Sequence, residues 1–164
     1  MLANRKGFTL IELLVVIAIL ATLAVTVFVA INPAKRFQDS RNARRQSDVA
    51  TILDAVHTST VDNGDLPTTI SGLTAGTMYE LSTGPVGSAT VSTQCTAAGA
   101  TGGLVDVMTA PPAGINDALA QMPVDPQLGT TSVPSGYAIQ RNANNMITIT
   151  ACGAENGVDI TASR

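Results

Sequence analysis

The residues that offer chemistry stand near the start of the chain, where one carboxylate lies within an apolar segment. Gly7 is followed by Phe8-Thr9-Leu10-Ile11, and Glu12 then comes directly before residues 13–31, which contain no charge, no Gly and no Pro. An apolar run of that length predicts a helix that spans a bilayer. An ionised side chain in such a helix costs about 2.5–3.5 kcal/mol at its centre and less toward an end. Glu12 is therefore expected to have a partner or a function.

No other part of the sequence has the residue pattern of an active site. There is one histidine, His57, and there is no nucleophile elbow, phosphate-binding loop or metal-spaced histidine cluster. We therefore expect no enzyme activity and no metal. Asp125, Glu155 and Asp159 have oxygen atoms that calcium accepts, but they lack the dense acidic spacing of a calcium loop. The expectation is no cofactor, with calcium as the alternative.

The order of small and apolar residues differs from that of a secretory signal. A secretory signal has its small-residue cleavage site after the apolar stretch. Here Gly7 precedes that stretch and directly follows Arg5 and Lys6. Cleavage after Gly7 would leave the apolar helix on the mature protein.

This N-terminal segment resembles the class III signal of type IV pilins and of type II secretion pseudopilins. The residues that carry the resemblance are Lys6-Gly7-Phe8-Thr9-Leu10-Ile11-Glu12-Leu13-Leu14-Val15-Val16-Ile17-Ala18-Ile19. The resemblance implies that a prepilin peptidase cuts between Gly7 and Phe8 and that the new amino group of Phe8 is N-methylated. It also implies that Glu12 pairs with the Phe8 amine of a neighbouring subunit. Such pairing fits the physics, because removing one partner of a buried ion pair costs about 3–5 kcal/mol.

The same resemblance implies partners and a location. The partners are identical subunits in a helical filament, the prepilin peptidase, an inner-membrane assembly platform, and membrane lipid before assembly. The chain would cross the cytoplasmic membrane once, with its head outside the cytoplasm, and would later stand in a cell-surface filament. We therefore expect a structural subunit of a type IV pilus-like filament.

Two alternatives remain open at this point. One is a major pseudopilin of a type II secretion system, which is favoured by Val29 in place of a proline and by the Asn32-Pro33 pair. A cysteine near the last strand, without an obvious calcium loop, favours a pilin. The other alternative is a single-pass, membrane-anchored binding module that does not polymerise, with Glu12 in the lipid headgroup layer.

Charge is distributed unevenly along the chain. Seven of the nine basic residues precede position 46, and five of them lie in residues 35–45, the basic neck. The neck is interpreted as a solvated helix surface, as a contact for anionic lipid or as a contact for acidic heads of neighbouring subunits, and DNA binding by the neck is the least favoured alternative. Nucleic-acid binding by the acidic remainder is not expected. Positive charge normally marks the cytoplasmic side of a span. Taken alone, that rule would place the head in the cytoplasm. The leader motif and the cysteine pair indicate an exported head, and we follow them.

Cys95 and Cys152 are the only cysteines. Two cysteines in an exported chain favour a disulfide, and two buried free thiols are the alternative. A bridge between them would restrict the unfolded chain by roughly 4 kcal/mol on the chain-entropy model.

Periodicity and turn residues predict the remaining elements. Pro33 predicts a helix kink, with any loosening centred on residues 29–33. An apolar stripe at Val49, Ile52, Leu53, Val56 and Thr60 predicts a helix face that packs on a sheet, and Asn63-Gly64 predicts its end. Helical spacing in residues 115–122 predicts a short helix. Alternation in residues 137–141 and 146–151 predicts a hairpin, with an added edge strand at residues 158–161.

The predicted fold class is α+β, with a long N-terminal helix packed on a small antiparallel sheet in a lollipop shape. Half of the helix would span the membrane and half would be amphipathic. The predicted divisions are a leader (residues 1–7), a transmembrane and assembly helix (8–31), a kinked neck with an amphipathic helix (32–63) and a head (64–164).

Overall fold

The computed structural model describes residues 7–109, 114–129 and 133–164. The chain divides after Gln38 into two compact units, here called the N-terminal unit and the C-terminal unit (Asp39–Arg164). Apart from Gly7, the predicted leader lies outside the described residues.

The apolar run forms helix α1 (Leu10–Ile31). Thr9 caps it, since its Oγ1 accepts a hydrogen bond from the Glu12 amide at 3.3 Å. The hydroxyls of Thr22 and Thr26 each donate to a carbonyl three residues earlier at 2.8 Å, so these polar groups are satisfied within the helix. No residue of α1 is buried. Within the described residues, only the helical stretch that starts at Leu10 is long and apolar enough to cross a membrane.

The helical path is interrupted at Asn32. This residue has a left-handed conformation, with φ 45° and ψ 75°, which asparagine tolerates better than most residues. Helix α2 (Pro33–Asn63) begins at the next residue. Proline suits a first helical position because its missing N–H would have no partner there. The Asn32 side chain accepts from the Lys35 amide at 3.4 Å, so one residue both ends α1 and caps α2.

The second half of α2 packs on the sheet through the predicted stripe. Val49, Ile52, Leu53 and Val56 are buried, and Thr60 is half-buried. Strand residues meet this face in one apolar cluster, among them Leu81, Tyr137, Ile139, Ile147 and Ile149. The helix ends at Asn63 as predicted, and Gly64 follows with φ 77°.

In chain order the strands are β1 (Met78–Ser82), β2 (Leu104–Val105), β3 (Pro134–Arg141), β4 (Ile147–Ala151) and β5 (Thr161–Ser163). Within the described ranges these five strands form one sheet in the order β2-β1-β3-β4-β5. The α+β class is confirmed, as is the hairpin, in which Tyr137 pairs with Ala151 and Arg141 with Ile147. The sheet is mixed, because β2 pairs with β1 in parallel after the chain crosses over through residues 83–103.

Several local elements differ from expectation. Residues 115–122 form one turn, closed by the Leu119 amide and the Ile115 carbonyl at 2.8 Å, instead of a short helix. The Ile115 amide donates to the Val107 carbonyl at 3.0 Å, which joins this turn to another loop. The edge strand starts at Thr161, three residues later than predicted. Two short helices were not predicted, α3 (Thr68–Ser71) and α4 (Thr93–Ala97).

Candidate functional site

The candidate processing segment consists of Gly7 and Phe8 and lies in non-helical backbone before α1. Both residues are exposed, Phe8 to 84%. Among the described residues, and apart from its chain neighbours, no atom lies within 4 Å of where a Cβ on Gly7 would stand. Folding of this chain therefore does not require glycine at position 7, and the peptide bond that follows it is open to solvent.

Glu12 lies in the first turn of α1, where the helix dipole favours a negative charge. The Thr9 hydroxyl lies 3.5 Å from Glu12 Oε2 and 3.3 Å from the Glu12 amide, so Thr9 holds both the backbone and the carboxylate of this turn. Across the described chain, no Lys, Arg or His side chain ion-pairs with Glu12. The carboxylate is thus exposed and free to accept a cationic partner.

The apolar surface that follows Glu12 is continuous along α1. Its large side chains are between 46% and 84% exposed from Phe8 to Ile31. A monomeric soluble protein rarely exposes an apolar patch of this extent, and such a patch marks a surface for lipid or for another protein. The segment therefore combines a free carboxylate with a helix that lacks apolar cover.

The basic neck does not form one uniform surface. Lys35, Arg36 and Arg44 are exposed, whereas Arg45 is completely buried. The Arg45 guanidinium binds Asp125 through both oxygens, with Nε 2.6 Å from Oδ2 and Nη2 3.0 Å from Oδ1. A bidentate, buried pair of this kind belongs to the architecture of the C-terminal unit and is closed to a lipid or a neighbouring subunit.

A second carboxylate completes this cluster. Glu155 accepts from Arg41 Nε and Nη2, both at 2.6 Å, and from Arg45 Nη1 at 2.9 Å. The hydrogen bond from Arg41, supported by Arg45 and by the charges of both, lowers the pKa of Glu155 to about 2. A Cβ on Gly153 would stand 2.8 Å from Asp125 Oδ2, so glycine at that position makes room for the cluster.

The predicted calcium ligands are thus occupied in part by arginine. Asp125 and Glu155 bind guanidinium groups, while Asp159 is exposed. In the described ranges, no three His, Cys, Asp or Glu side chains come together as metal ligands. Calcium binding stays untested as a prediction, with Arg41 and Arg45 as its competitors for the same oxygens.

The cysteine prediction is confirmed. Cys95 in α4 and Cys152 after β4 form a disulfide, with their Cα atoms 4.7 Å apart. The alternative of two free thiols is excluded. The bridge attaches the uncharged crossover between β1 and β2 to the residue that directly follows β4.

The remaining polar candidates are a tyrosine–aspartate pair, the groove beside it and the single histidine. The Tyr137 hydroxyl donates to Asp48 Oδ2 at 2.6 Å, and burial together with this bond raises the pKa of Tyr137. An open groove of about 820 Å³ lies beside Asp48 and Arg44, with Met108 and Met122 in its wall. His57 is half-buried, as expected of a histidine with no catalytic partner. None of these positions in the described chain joins a nucleophile to a base.

Sequence reasoning missed the burial of three charged residues, Arg45, Glu80 and Asp125. Arg45 lies four residues before Val49, on the same helix face as the apolar stripe. This spacing was the sequence signal for its burial. Glu80 had no comparable signal, because a single acidic residue in a short strand indicates an edge as readily as a core.

Comparison with known families identifies the N-terminal segment alone. Residues 2–28 match the model of the prokaryotic N-terminal methylation motif. No curated protein and no solved structure matches the chain significantly. The motif supports a pilin-like or pseudopilin-type protein with a class III signal, anchored in the membrane by its apolar helix, and it implies processing by a prepilin peptidase.

Proposed function

We propose that the chain is a structural subunit of a type IV pilus-like surface filament that polymerises through α1. The observation that carries the proposal is the state of α1: the helix buries none of its residues, and Glu12 finds no cation in the described chain. Lipid satisfies the apolar surface but not the carboxylate. A bundle of sister helices satisfies both, because each copy brings a cationic amino terminus.

The processing step creates that amino terminus. Cleavage between the exposed residues Gly7 and Phe8 leaves an α-amino group four residues before Glu12, which N-methylation keeps cationic. The two groups are four residues apart, about one helical turn, so between two parallel copies they meet when one copy is displaced along the axis by about that distance. Pairing then stabilises one axial register between neighbouring helices. Repeated head-to-tail contacts whose rotation does not close into a ring give a helical filament.

Mass spectrometry of the mature chain tests the processing. The expected product begins at Phe8 and carries one added methyl group on its amino nitrogen. An unprocessed chain in the membrane would contradict this assignment and favour the membrane-anchored binding module.

Replacement of Glu12 tests the assembly. Glu12→Ala and Glu12→Gln should insert in the membrane normally and yield few or no filaments, since the Phe8 amine would be buried without its counter-ion. Thr22→Val is the matched control, because it alters a polar residue on the same helix whose hydroxyl bonds only to its own helix. Filament yield in sheared surface fractions is the measurement, and unchanged yield in both Glu12 variants would exclude the pairing role.

A major pseudopilin is the second candidate. The interruption of the helix at Asn32, after a span that lacks Gly and Pro, favours this reading. Electron microscopy separates the two, because long filaments outside the cell are expected of a pilin and short periplasmic ones of a pseudopilin.

A further inference from the structure

The Glu80 carboxylate is completely buried in β1, and the described chain provides no Lys or Arg to pair with it. It accepts three hydrogen bonds instead. Ser92 donates twice, from its amide to Oε2 at 2.6 Å and from its hydroxyl to Oε1 at 2.7 Å. The Gly136 amide donates to Oε1 at 2.9 Å. All three groups donate to the carboxylate oxygens of Glu80.

The donor from β3 depends on an irregularity in the sheet. Glu80 pairs with Ala138 and Ser82 with Pro134, so β3 has two extra residues in this interval. Within it Gly136 has φ 82°, a conformation that favours glycine. A Cβ at this position would also lie 2.6 Å from Asp125 Cβ. The bulge is therefore what presents an amide to the carboxylate.

Both groups that bind Glu80 lead directly to a cysteine. Ser92 caps α4, and its Oγ accepts from the Cys95 amide at 3.2 Å. The Gly136 carbonyl accepts from the Cys152 amide at 3.0 Å. One carboxylate thus bonds directly to the cap of α4, the helix that contains Cys95. It also bonds to Gly136 of β3, whose carbonyl in turn binds the Cys152 amide.

Apolar packing contributes little to this junction. The fully buried members of the cluster around the disulfide are the small side chains of Cys95, Ala100 and Ala138, and the larger Met78 and Val91 are only partly buried against them. Small side chains bury little area, and each buried methylene contributes only about 0.8 kcal/mol. The crossover at residues 83–103 is also uncharged, so no ion pair fixes it. The two hydrogen bonds from Ser92 to Glu80 therefore anchor the start of α4 through polar contacts.

We infer that Glu80 is the positioning residue for closure of the disulfide: in the reduced chain it holds Cys95 beside Cys152. The co-reactant is a small-molecule disulfide such as oxidised glutathione. One cysteine thiolate attacks it, forming a mixed disulfide and releasing one glutathione thiolate. The second cysteine thiolate then displaces the second glutathione. The two protein thiols lose two protons and two electrons, and the electrons reduce one oxidised glutathione to two thiols.

The test measures the effective concentration of the two thiols. The full chain in detergent micelles is equilibrated with glutathione buffers of varied ratio, and the bridged fraction is read after acid quench and alkylation. Glu80→Gln keeps the shape but replaces one acceptor atom by a donor, which opposes one of the three bound N–H or O–H groups. The expected effective concentration falls about tenfold, as for loss of a hydrogen bond to a charged group.

The matched control separates positioning from stability. Ile52→Val lowers core stability by about 0.5–1.5 kcal/mol without touching the junction. It should leave the effective concentration in the folded, reduced chain unchanged. If Glu80→Gln does not fold when reduced, Ser92→Ala takes its place. This variant keeps the hydrogen bond from the residue 92 amide to Glu80 and loses the hydroxyl that accepts from the Cys95 amide. An effective concentration equal to that of the unaltered chain, or an equal fall in Ile52→Val, would overturn the inference.

Discussion

Arg44 and Arg45 are adjacent residues of the same type with opposite surroundings. The Arg44 side chain is 63% exposed and lies 3.6 Å from Asp48, whereas the Arg45 side chain is fully buried against Asp125. Adjacent positions on a helix point about a quarter-turn apart, so only one of them faces the sheet. The same charge is thus a solvated surface group at one position and a core group at the next.

The first prediction concerns this pair of arginines. Arg45→Met should lower the free energy of unfolding by about 3–5 kcal/mol, because it leaves the Asp125 carboxylate buried without its cation. Arg44→Met should change it by less than about 1 kcal/mol, as expected for an exposed ion pair. Both tyrosines lie in the C-terminal unit and the chain has no Trp, so tyrosine fluorescence in urea measures this unfolding. Equal effects of the two substitutions would contradict the assignment.

A second prediction concerns pH. The pKa of Glu155 falls from 4.5 to about 2 on folding, so its stabilising contribution is complete above pH 4.5 and is lost as the pH falls toward 2. Glu155→Gln should therefore be less stable than the unaltered chain at neutral pH. The difference in stability between the two chains should shrink as the pH falls toward about 2. Urea midpoints across this pH window are the measurement. Asp159→Asn, an exposed change, is the control, and a parallel profile for Glu155→Gln would exclude the proposed linkage.

At the scale of elements, the C-terminal unit combines a strong helix with weakly held connections. The second half of α2 buries a full apolar stripe, whereas α4 and the crossover around it bury mainly small side chains. The Cys95–Cys152 bridge spans 57 residues and attaches the crossover to the hairpin. Removal of the bridge should act mainly by increasing the conformational entropy of the unfolded chain.

Reduction of the disulfide supplies the third prediction. The free energy of unfolding should fall by about 4 kcal/mol on the chain-entropy model. The measurement is the urea midpoint with and without a thiol reductant. A Cys95→Ala, Cys152→Ala double variant should show no response to the reductant, which makes it the control for effects of the reagent itself. No shift in the unaltered chain would indicate that the reduced chain retains the same constraint.

On the scale of the whole molecule, the two compact units have different relations to solvent. Helix α1 has no buried residue, whereas every buried residue of α2 lies at or beyond Arg45. The core of the C-terminal unit is therefore complete without residues 1–38. The second half of α2 contributes Val49, Ile52, Leu53 and Val56 to that core.

A chain that begins at Asp39 gives the fourth prediction. It should be soluble without detergent and should form the Cys95–Cys152 bridge, with tyrosine fluorescence like that of the full chain. A parallel chain that begins at Val49 lacks Arg41 and Arg45 and should be less stable by several kcal/mol, since Asp125 loses its buried partner. Size-exclusion chromatography and urea unfolding check both. Aggregation of the chain that begins at Asp39 would show that the C-terminal unit requires the preceding segment.

Local patterns alone determined several features of this protein. The apolar run of α1, the stripe from Val49 to Val56, the stop at Asn63-Gly64 and the β3–β4 hairpin were predictable because short-range periodicity and turn residues decide them. The N-terminal methylation motif was also readable, since its residues are contiguous.

Tertiary structure alone decided which partners the buried polar groups have. Arg45 meets Asp125 across 80 residues, and Glu80 meets Gly136 across 56. The parallel β1–β2 pair likewise depends on a long connection. The turn in residues 115–122 is joined to the preceding loop by the bond from the Ile115 amide to the Val107 carbonyl. Contacts between remote segments follow from how the whole chain packs, and a local window of sequence carries no record of the partner that a buried charge will find.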